Sequence, residues 1–317
     1  MAVIFGTSDA LTKKIWSAKL YKESMKDMFF EKFTGEGPEN IIQVNMELKK
    51  EKGDKVTFGL IMDMTEDGQE SATGITLEGN EEDIVTHDFY IELLEFGHAT
   101  KAKSLLDLQR PVLDLRKEML AKLKIWRRNR LETKIITALS DTPTSNRIIN
   151  GATGEPASGV VLTKEMISAA SRMADGATPK IMPILIGGKK HFVLLATPLQ
   201  IKSLRADTDF MDYNSGALPR DAEKNPIWTG KDYVWDNVLI FKYERCLTYS
   251  NNVARALLLG AQAGGIAYGN IGEWHEKLFD YDTIPGVGVK GLWGIKKTAF
   301  NGEDFGVIAI DTKYVSD

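Results

Sequence analysis

The chain has 317 residues, of which 43% are apolar and 26% are charged, proportions typical of soluble globular proteins. This apolar fraction is enough to build a buried core, which excludes a chain that is disordered throughout its length. Forty basic and forty-four acidic side chains give a net charge of −4, which excludes a strongly basic nucleic-acid-binding protein but leaves room for a local basic face. Cys246 is the single cysteine, so an internal disulfide and a zinc site with several cysteine ligands are also excluded.

The N-terminal part of the sequence contains an amphipathic arm followed by two alternating segments. Residues 1–34 have mixed charge and helical spacing, and the glycines and proline of 35–38 end that pattern. Apolar side chains alternate with polar ones over 56–64 and over 85–93, which predicts two β-strands. The segment between them, 65–83, is polar, and a loop of that length in a compact protein usually carries function. We therefore predict a two-stranded arm with an extended tip, which must lie on another surface because an isolated hairpin is only marginally stable.

A long helix is predicted from the residue after Pro111 to about Leu139. Its first half carries an apolar stripe that includes Met119 and Leu123, whereas its second half carries one on a different side that includes Ile135. A helix on the surface of one domain keeps a single stripe throughout its length. The change of side therefore predicts a helix that packs in two different environments.

The rest of the sequence mixes helical and strand patterns. Thr163 and the pair Thr197-Pro198 are typical helix starts, and Asn301-Gly302 is typical of a tight hairpin turn. The predicted helices are 164–175, a short one after Thr197 and a short buried one over 254–263, with a loop over 206–232. The predicted strands are 181–186, 192–196, 233–247, 293–300 and 305–311.

Few patterns in the sequence carry catalytic or ligand-binding chemistry. Gly286-Val-Gly-Val-Lys-Gly291 matches the letters of the G-x-G-x-x-G dinucleotide motif, but that motif binds a pyrophosphate only between a buried strand and a helix. The residues before it make a poor strand and those after it alternate, so a turn-rich glycine segment is the simpler interpretation. The histidines have no partner at metal-ligand spacing: His87, His98, His191 and His275. We therefore predict no catalytic residue, no cofactor and no metal ion, and we predict that the protein is not an enzyme.

The distribution of charge is more informative than its total. Residues 63–100 contain eleven acidic side chains and no lysine or arginine, whereas residues 101–134 contain eleven basic and four acidic ones. A run of like charge can be simply a solvated face, and that alternative stays open. An acidic arm followed by a basic helix favours an ordered contact, which between copies can propagate into rings or shells. The predicted contact residues are Glu78, Asn80, Glu81, Glu82 and Asp83 on the loop and Arg116, Arg127, Arg128 and Arg130 on the helix.

Several motifs in this order resemble a known family. They are Gly53-Asp-Lys-Val-Thr-Phe58, Leu77-Glu-Gly-Asn-Glu-Glu82, Leu108-Gln-Arg110, Leu115-Arg116 leading to Trp126, His191 to Leu204, Asn225-Pro-Ile-Trp-Thr-Gly230 followed by Tyr233 to Leu247, Leu257 to Ala263, and Phe305 to Thr312. Together they resemble the major capsid proteins of tailed phages, in the family typified by the coat protein of coliphage N-four. The resemblance covers nearly the whole chain.

The resemblance implies an α+β fold of the Hong Kong 97 capsid type, with peripheral and axial domains. The implied parts are an N-terminal arm over 1–34, an extended β-hairpin loop over 35–105, the spine helix of the peripheral domain over 106–140, an axial domain over 141–275, and C-terminal strands over 276–317 that return to the peripheral domain. In this fold the extended loop is expected to lie on a neighbouring subunit, in line with the acidic arm and the basic helix.

The implied function is that of a major capsid protein, which assembles as hexamers and pentamers into the icosahedral shell around the double-stranded DNA of a tailed phage. Contact with the packaged DNA is expected to be non-specific. A portal is a further implied partner, and a decoration protein is a possible one. Because about 34 residues precede the loop, the scaffold is expected to be a separate protein. The implied location is the virion after assembly in the host bacterial cytoplasm, and no membrane partner is expected.

Two alternatives to the phage capsid stay open from the sequence. An encapsulin-type bacterial compartment around a cargo enzyme has the same implied fold, and a nucleotide-dependent oxidoreductase rests on Gly286 to Gly291 alone. Some relatives join their subunits through a Lys–Asn isopeptide bond that starts from a lysine on the loop. Because residues 63–100 contain no lysine, we expect no such bond from the tip of this loop.

Overall fold

A computed structural model of the chain describes most of its length. The described residues are 29–46, 53–62, 64, 66–70, 74–104, 115–149, 151–152, 155–156, 160–186, 188–216, 233–249, 252–281 and 283–314. Residues 1–28 of the arm predicted over 1–34 therefore lie outside the described residues, as do 105–114 at the start of the predicted helix and 217–232 in the predicted loop.

The described part of the chain contains both helices and strands. Its helices are α1 (Leu115–Leu139), α2 (Lys164–Asp175), α3 (Pro198–Arg205) and α4 (Thr208–Gly216), with short 3-10 helices at Phe30–Phe33 and Ser145–Arg147. Its strands are β1 (Thr34–Gly35), β2 (Ile42–Asn45), β3 (Lys55–Ile61), β4 (Thr86–Glu92), β5 (Leu94–Lys101), β6 (Ile148–Ile149), β7 (Gly151–Ala152), β8 (Glu155–Pro156), β9 (Ile184–Ile186), β10 (Lys189–Ala196), β11 (Tyr233–Trp235), β12 (Val238–Lys242), β13 (Thr248–Tyr249), β14 (Val253–Leu259), β15 (Gly264–Phe279), β16 (Ile284–Lys297), β17 (Ala299–Phe300), β18 (Glu303–Asp304) and β19 (Val307–Lys313).

These elements belong to two compact units. Among the described residues, the larger unit takes those within 29–95, 130–271 and 292–317, and the smaller unit takes those within 96–129 and 272–291. Helix α1 and strands β5, β15 and β16 each contribute residues to both units.

The larger unit is built on an eight-stranded mixed sheet. Its strand order is β11-β12-β10-β14-β19-β6, with β9 and β13 added at β10 and β14. Strand β14 pairs antiparallel with both β10 and β19, and all of its residues are buried. Leu257 and Leu259 belong to the same core cluster as Ile135 of α1, whereas Leu258 belongs to the cluster of Ile167 on α2. The sheet therefore buries apolar side chains on both faces, with α1 on one side and α2 on the other.

The predicted short helix over 254–263 is wrong, because most of this segment is β14. A strand buried on both faces is apolar at every position, so it lacks the alternation that marks a half-exposed strand. Its apolar run is followed by a turn in which Gln262 has a φ of 57° and leads into β15. The shortness of the apolar run was the one sequence feature in favour of a strand, because buried strands are typically shorter than helices.

Both helix starts that were predicted from a threonine are present, and one of the two threonines caps its helix with its side chain. Helices α2 and α3 confirm the predictions made from Thr163 and Thr197, and Thr197 Oγ1 accepts a hydrogen bond from the Gln200 backbone N–H at 3.2 Å. The predicted loop over 206–232 is wrong in its first part, which forms α4. Asp207 Oδ1 accepts a hydrogen bond from the Phe210 backbone N–H at 3.3 Å there, and the Phe210 ring is fully buried.

Tight turns explain where the later strands begin and end. The single strand predicted over 233–247 is instead the hairpin of β11 and β12, because Asp236 and Asn237 both have positive φ, 47° and 62°. The predicted turn at Asn301-Gly302 is confirmed, with φ of 51° and 77° between β17 and β18. Positive φ at both central residues is what a two-residue type I′ turn requires.

Strands β3 and β4 form the predicted two-stranded arm. They pair antiparallel in a register that places Phe58 opposite Phe89, and both rings lie in an apolar cluster with Phe300. The base of the arm lies very close to β16, because a Cβ at Gly294 would collide with the carbonyl oxygen of Glu92. The base is thus anchored in the core of its own unit, as a marginally stable hairpin requires.

A buried carboxylate ties the segment before β1 to helix α1. Glu132 has no exposed surface and accepts hydrogen bonds from the Phe30 backbone N–H at 3.1 Å and from the Tyr243 hydroxyl. The Phe30 and Phe29 rings lie against the Tyr243 ring, with centroids 5.7 and 5.5 Å from it. Burial raises the pKa of the Glu132 carboxyl above its ordinary value, and the hydrogen bonds from Tyr243 and Phe30 oppose that change only in part.

This raised pKa predicts a specific pH dependence of stability. A carboxyl whose pKa is higher in the folded state stabilises the fold below its unfolded pKa, and that contribution is lost as pH rises through the folded pKa. We therefore expect the free energy of unfolding of the wild type, relative to Glu132→Gln, to fall as pH rises from about 4.5 to about 8. Urea unfolding at several pH values across this range measures the difference in free energy of unfolding. The control variant is Glu165→Gln, which also removes one negative charge but at an exposed position of α2. A difference that stays constant with pH contradicts the prediction.

The smaller unit combines the first part of α1 with parts of β5, β15 and β16, in the sheet order β15-β16-β5. Its core contains Met119, Leu123 and Val287, with Trp274 packed against them. Ile135, further along the same helix, belongs to the core of the larger unit. The predicted change of apolar stripe along α1, and its two packing environments, are therefore confirmed.

Candidate assembly surfaces

The described residues contain little that suits catalysis or ligand chemistry. No group of three or more His, Cys, Asp or Glu side chains within them is placed to hold a metal ion. Cys246 is buried, and burial raises the pKa of its thiol to about 12, which keeps it protonated and inert. No helix in this part of the chain is long and apolar enough to cross a membrane.

The segment between β3 and β4, residues 62–85, is here called the loop tip. It contains all five loop residues that were predicted to contact another subunit. Four of them are exposed and Glu82 is half-buried; the exposed ones are Glu78, Asn80, Glu81 and Asp83. The side chains that carry the acidic charge are therefore accessible to a partner.

Local hydrogen bonds give part of the loop tip a defined shape. The Asn80 backbone N–H donates to the Leu77 carbonyl at 3.0 Å, and Gly79 between them has a φ of 85°. Glu81 Oε2 accepts from the Gly79 backbone N–H at 2.8 Å, and Glu82 Oε2 accepts from the Glu66 backbone N–H at 3.2 Å. These bonds hold a turn in place, which reduces the conformational entropy that a contact must overcome.

The loop tip is also apolar, which the charge pattern alone did not indicate. Leu77 and Ile84 are 66% and 61% exposed, and they flank the acidic run. Further large apolar side chains on or beside the tip are exposed as well: Ile61, Met64, Ile75 and Val85. An exposed group of aliphatic side chains with a polar surround is typical of a protein contact surface. A partner for this tip must therefore match both its negative charge and its aliphatic side chains.

The predicted helix residues lie along α1 in different environments. Arg116 is exposed and forms an ion pair with Glu276 of β15, inside the smaller unit. Arg127 is half-buried, whereas Arg128 and Arg130 are exposed. The predicted contact between loop and helix stays a prediction about a second copy.

The glycine string 286–291 lies in the middle of strand β16 and does not connect a strand to a helix. The dinucleotide interpretation is therefore wrong, because no helix N-terminus follows the glycines to receive a pyrophosphate. The expectation of a turn at this string is wrong as well. The glycines instead allow close packing: a Cβ at Gly286 would lie 2.6 Å from the Phe279 ring, and one at Gly288 would lie 3.3 Å from Ala99 Cβ.

These small residues form the floor of an open trough in the smaller unit, with a volume of about 410 Å³. The Phe279 ring is 37% exposed and lies over Gly286. The ammonium groups of Lys101 and Lys277 each lie 5.3 Å from the centre of that ring, within the range of cation–π attraction. His275 also lines the trough. The trough thus has an apolar floor and positively charged walls.

Sequence reasoning missed the trough, although a signal for it exists. In a strand, side chains two positions apart share one face, so His275, Lys277 and Phe279 lie together and opposite Trp274. Reading 273–279 as a strand would have placed two basic groups and an aromatic ring on one surface. That strand was not predicted, because alternation between charged and aromatic residues does not show which face is buried.

Comparison with known proteins identifies the family. A model of the phage capsid protein family matches residues 4–153 and 141–316. The major capsid protein of Pseudomonas phage KPP25 is 25% identical to the chain, over 94% of each protein. The capsid structure of Ralstonia phage GP4 is 25% identical and superposes with a TM-score of 0.84 over 100% of this chain and 99% of that one. The chain therefore belongs to the phage capsid protein family and forms the shell of a phage capsid.

This result confirms the resemblance to phage major capsid proteins and supports a structural role in the virion, with many copies in one shell. The mixed helix and strand content of the fold is that of the phage capsid structures. The encapsulin alternative has weaker support. The SrpI encapsulin complex from Synechococcus elongatus is 10% identical, with a TM-score of 0.57 over 97% of this chain, which shows a shared fold alone.

Proposed function

We propose that the chain adopts the Hong Kong 97 capsid arrangement and assembles as hexamers and pentamers into an icosahedral shell around the double-stranded DNA of a tailed phage. The observation that carries this proposal is the loop tip, which exposes aliphatic side chains and acidic groups together. A subunit that stayed monomeric would gain nothing from such a surface, whereas a shell subunit covers it with a neighbour.

The same proposal assigns parts of the chain to the parts of that fold. Residues 1–34 are the N-terminal arm, 35–105 the extended loop, 106–140 the spine helix, 141–275 the axial domain and 276–317 the returning strands. The two packing environments of α1 support its assignment as a spine, and the anchored base of β3 and β4 supports a loop that extends from a fixed root.

The proposed contact joins the loop tip of one copy to helix α1 or to the smaller unit of another. Glu78, Asn80, Glu81, Glu82 and Asp83 supply the acidic side of this contact. Two basic surfaces are available for the other side: α1, with Arg116, Arg127, Arg128 and Arg130, and the trough. Oppositely charged patches mainly fix which surfaces meet and in which register.

The remaining partners follow from the role of a shell. A portal and a separate scaffolding protein act during assembly in the host bacterial cytoplasm, a decoration protein stays an open partner, and the packaged DNA contacts the inner surface without sequence preference. Because residues 63–100 contain no lysine, no Lys–Asn isopeptide bond starts from a lysine of the loop tip.

Sedimentation velocity of the purified protein, with and without a co-expressed scaffolding protein, tests the proposal. Rapidly sedimenting particles of uniform size are the expected result. A protein that remains monomeric at every concentration, with or without the scaffolding protein, contradicts it.

A further inference from the structure

Helix α1 carries an exposed basic ridge, here defined as Lys117, Lys124 and Arg128. We propose that this ridge binds the phosphate backbone of the packaged double-stranded DNA. The inference rests on the proposed function and adds to it the surface of the subunit that faces the DNA.

Positive charge is concentrated in this part of α1. Residues 116–130 contain seven basic side chains and one acidic one, Glu118, although the whole chain has a net charge of −4. All three residues of the ridge are exposed. A local excess of positive charge on a chain that is acidic overall creates a surface that attracts an anionic partner.

The helical repeat places the three side chains of the ridge on one side of α1. A helix turns by about 100° per residue, so positions 117, 124 and 128 lie within about 40° of one another around its axis. Met119 and Leu123 lie on the opposite side, where they are buried in the core of the smaller unit. At about 1.5 Å per residue the ridge is about 16 Å long, and it forms a straight row of positive charge.

The ridge differs from the other basic surface of α1. A pocket on the opposite side of the helix combines the charge of Lys122 with the apolar side chains of Met119 and Trp126. Such a mixed surface suits a partner that has both charged and apolar groups, such as the loop tip. The ridge offers positive charge alone, and a phosphate backbone binds to positive charge without any need for an apolar contact.

The inference changes the assignment of one arginine. The proposed loop contact includes Arg116, Arg127, Arg128 and Arg130, but helix geometry separates Arg128 from each of the other three by about 100° or more. Arg128 therefore belongs with Lys117 and Lys124, and the other three arginines stay available to the loop tip. Because packaged DNA fills the inside of a shell, the ridge side of α1 is also expected to face the interior.

Binding of double-stranded DNA to the unassembled subunit tests the inference without a shell. The probe is a fluorescently labelled DNA duplex of mixed sequence, and fluorescence anisotropy at several salt concentrations measures its affinity. We expect Lys117→Gln/Lys124→Gln/Arg128→Gln to weaken binding at low salt at least tenfold. The slope of log affinity against log salt is expected to fall by about 2 to 3, because each lost phosphate contact removes about 0.9 from it.

The matched control is Lys180→Gln/Lys189→Gln/Lys190→Gln, which removes the same charge at exposed positions of the larger unit. This control is expected to keep the affinity and the salt slope of the wild type. If it weakens binding as much as the ridge variant does, total charge is responsible and the inference is overturned. A ridge variant with an unchanged slope, or a wild-type subunit that does not bind the duplex, also overturns it.

Lysine footprinting of assembled particles provides a second readout. We expect an amine-acetylating reagent to modify Lys117 and Lys124 several-fold more slowly in DNA-filled particles than in empty ones, with equal rates at Lys189 and Lys190. Equal rates at all four lysines overturn the inference.

The outcomes separate this inference from the proposed function. A ridge variant that binds DNA normally but no longer assembles overturns the inference, because the ridge then contacts another copy of the chain. A wild-type protein that never forms shells contradicts the proposed function, whereas the affinity and the salt slope of the unassembled subunit decide the role of the ridge.

Discussion

Reversal of Glu78, Glu81 and Glu82 to lysine is expected to weaken shell assembly while the subunit stays folded. The loop tip has an exposed acidic surface, so the reversed charges repel the basic surface of the neighbouring copy. Exposed charges contribute little to the stability of a single subunit. We expect the critical concentration for assembly to rise by at least about tenfold, equivalent to ~1.4 kcal/mol per subunit, with an unchanged unfolding midpoint.

Sedimentation velocity measures the first quantity and urea unfolding of the unassembled subunit measures the second. The matched control is Glu36→Lys/Glu39→Lys/Glu165→Lys, which reverses three exposed carboxylates outside the loop tip and changes the net charge equally. If this control blocks assembly as strongly as the loop variant, total charge is responsible and the loop tip is not. If the loop variant also loses stability in urea unfolding, the three glutamates act in folding of the subunit and not in assembly.

Replacement of Asp311 by asparagine is expected to cause the largest loss of subunit stability. Asp311 is fully buried on β19 and accepts two hydrogen bonds of 2.8 Å from the Arg255 guanidinium of β14. Arg255 also donates to the Ser140 carbonyl at 2.9 Å, so the pair joins the central strands to the end of α1. Without the aspartate charge, the buried guanidinium loses its counter-ion, which typically costs about 3–5 kcal/mol.

Urea unfolding of the subunit measures this loss as well. The matched control is Glu92→Gln, which removes one partner of the exposed ion pair with Lys55 and is expected to leave the unfolding midpoint unchanged. Arg255→Met/Asp311→Leu replaces both charges with apolar groups and is expected to recover part of the stability lost in Asp311→Asn. An Asp311→Asn protein as stable as the wild type would show that the pair does not hold the two strands together.

The sequence predicted best those elements whose signals are local. The arm of β3 and β4 alternates because one face meets Phe300 and the other meets solvent, and the Asn301-Gly302 turn needs residues that tolerate positive φ. The change of stripe along α1 was visible because it depends on the spacing of residues such as Met119 and Ile135. In each case the residues that reveal the structure lie close to one another in the sequence.

The failures came from context that a local pattern does not contain. Strand β14 is apolar throughout because α1 and α2 cover opposite faces of its sheet, and neither helix is adjacent to it in sequence. The string from Gly286 to Gly291 has the letters of a nucleotide site, but its glycines make room for Phe279 and Ala99 in a sheet. The trough is formed by three strands, β5, β15 and β16, so residue types alone could not reveal it.

The balance of charge in the chain has a structural meaning in this account. The acidic segment 63–100 and the basic segment 101–134 offset each other in the total of −4, and we propose that they meet between copies. A near-neutral chain therefore carries strong complementary patches, which favour association in a defined register.

Electron cryomicroscopy of particles assembled from the purified protein is the most direct test of this claim. The account predicts closed icosahedral shells in which the loop tip of each subunit lies against helix α1 or the smaller unit of a neighbour. A protein that forms no shells, or shells in which every loop tip extends into solvent, would contradict it.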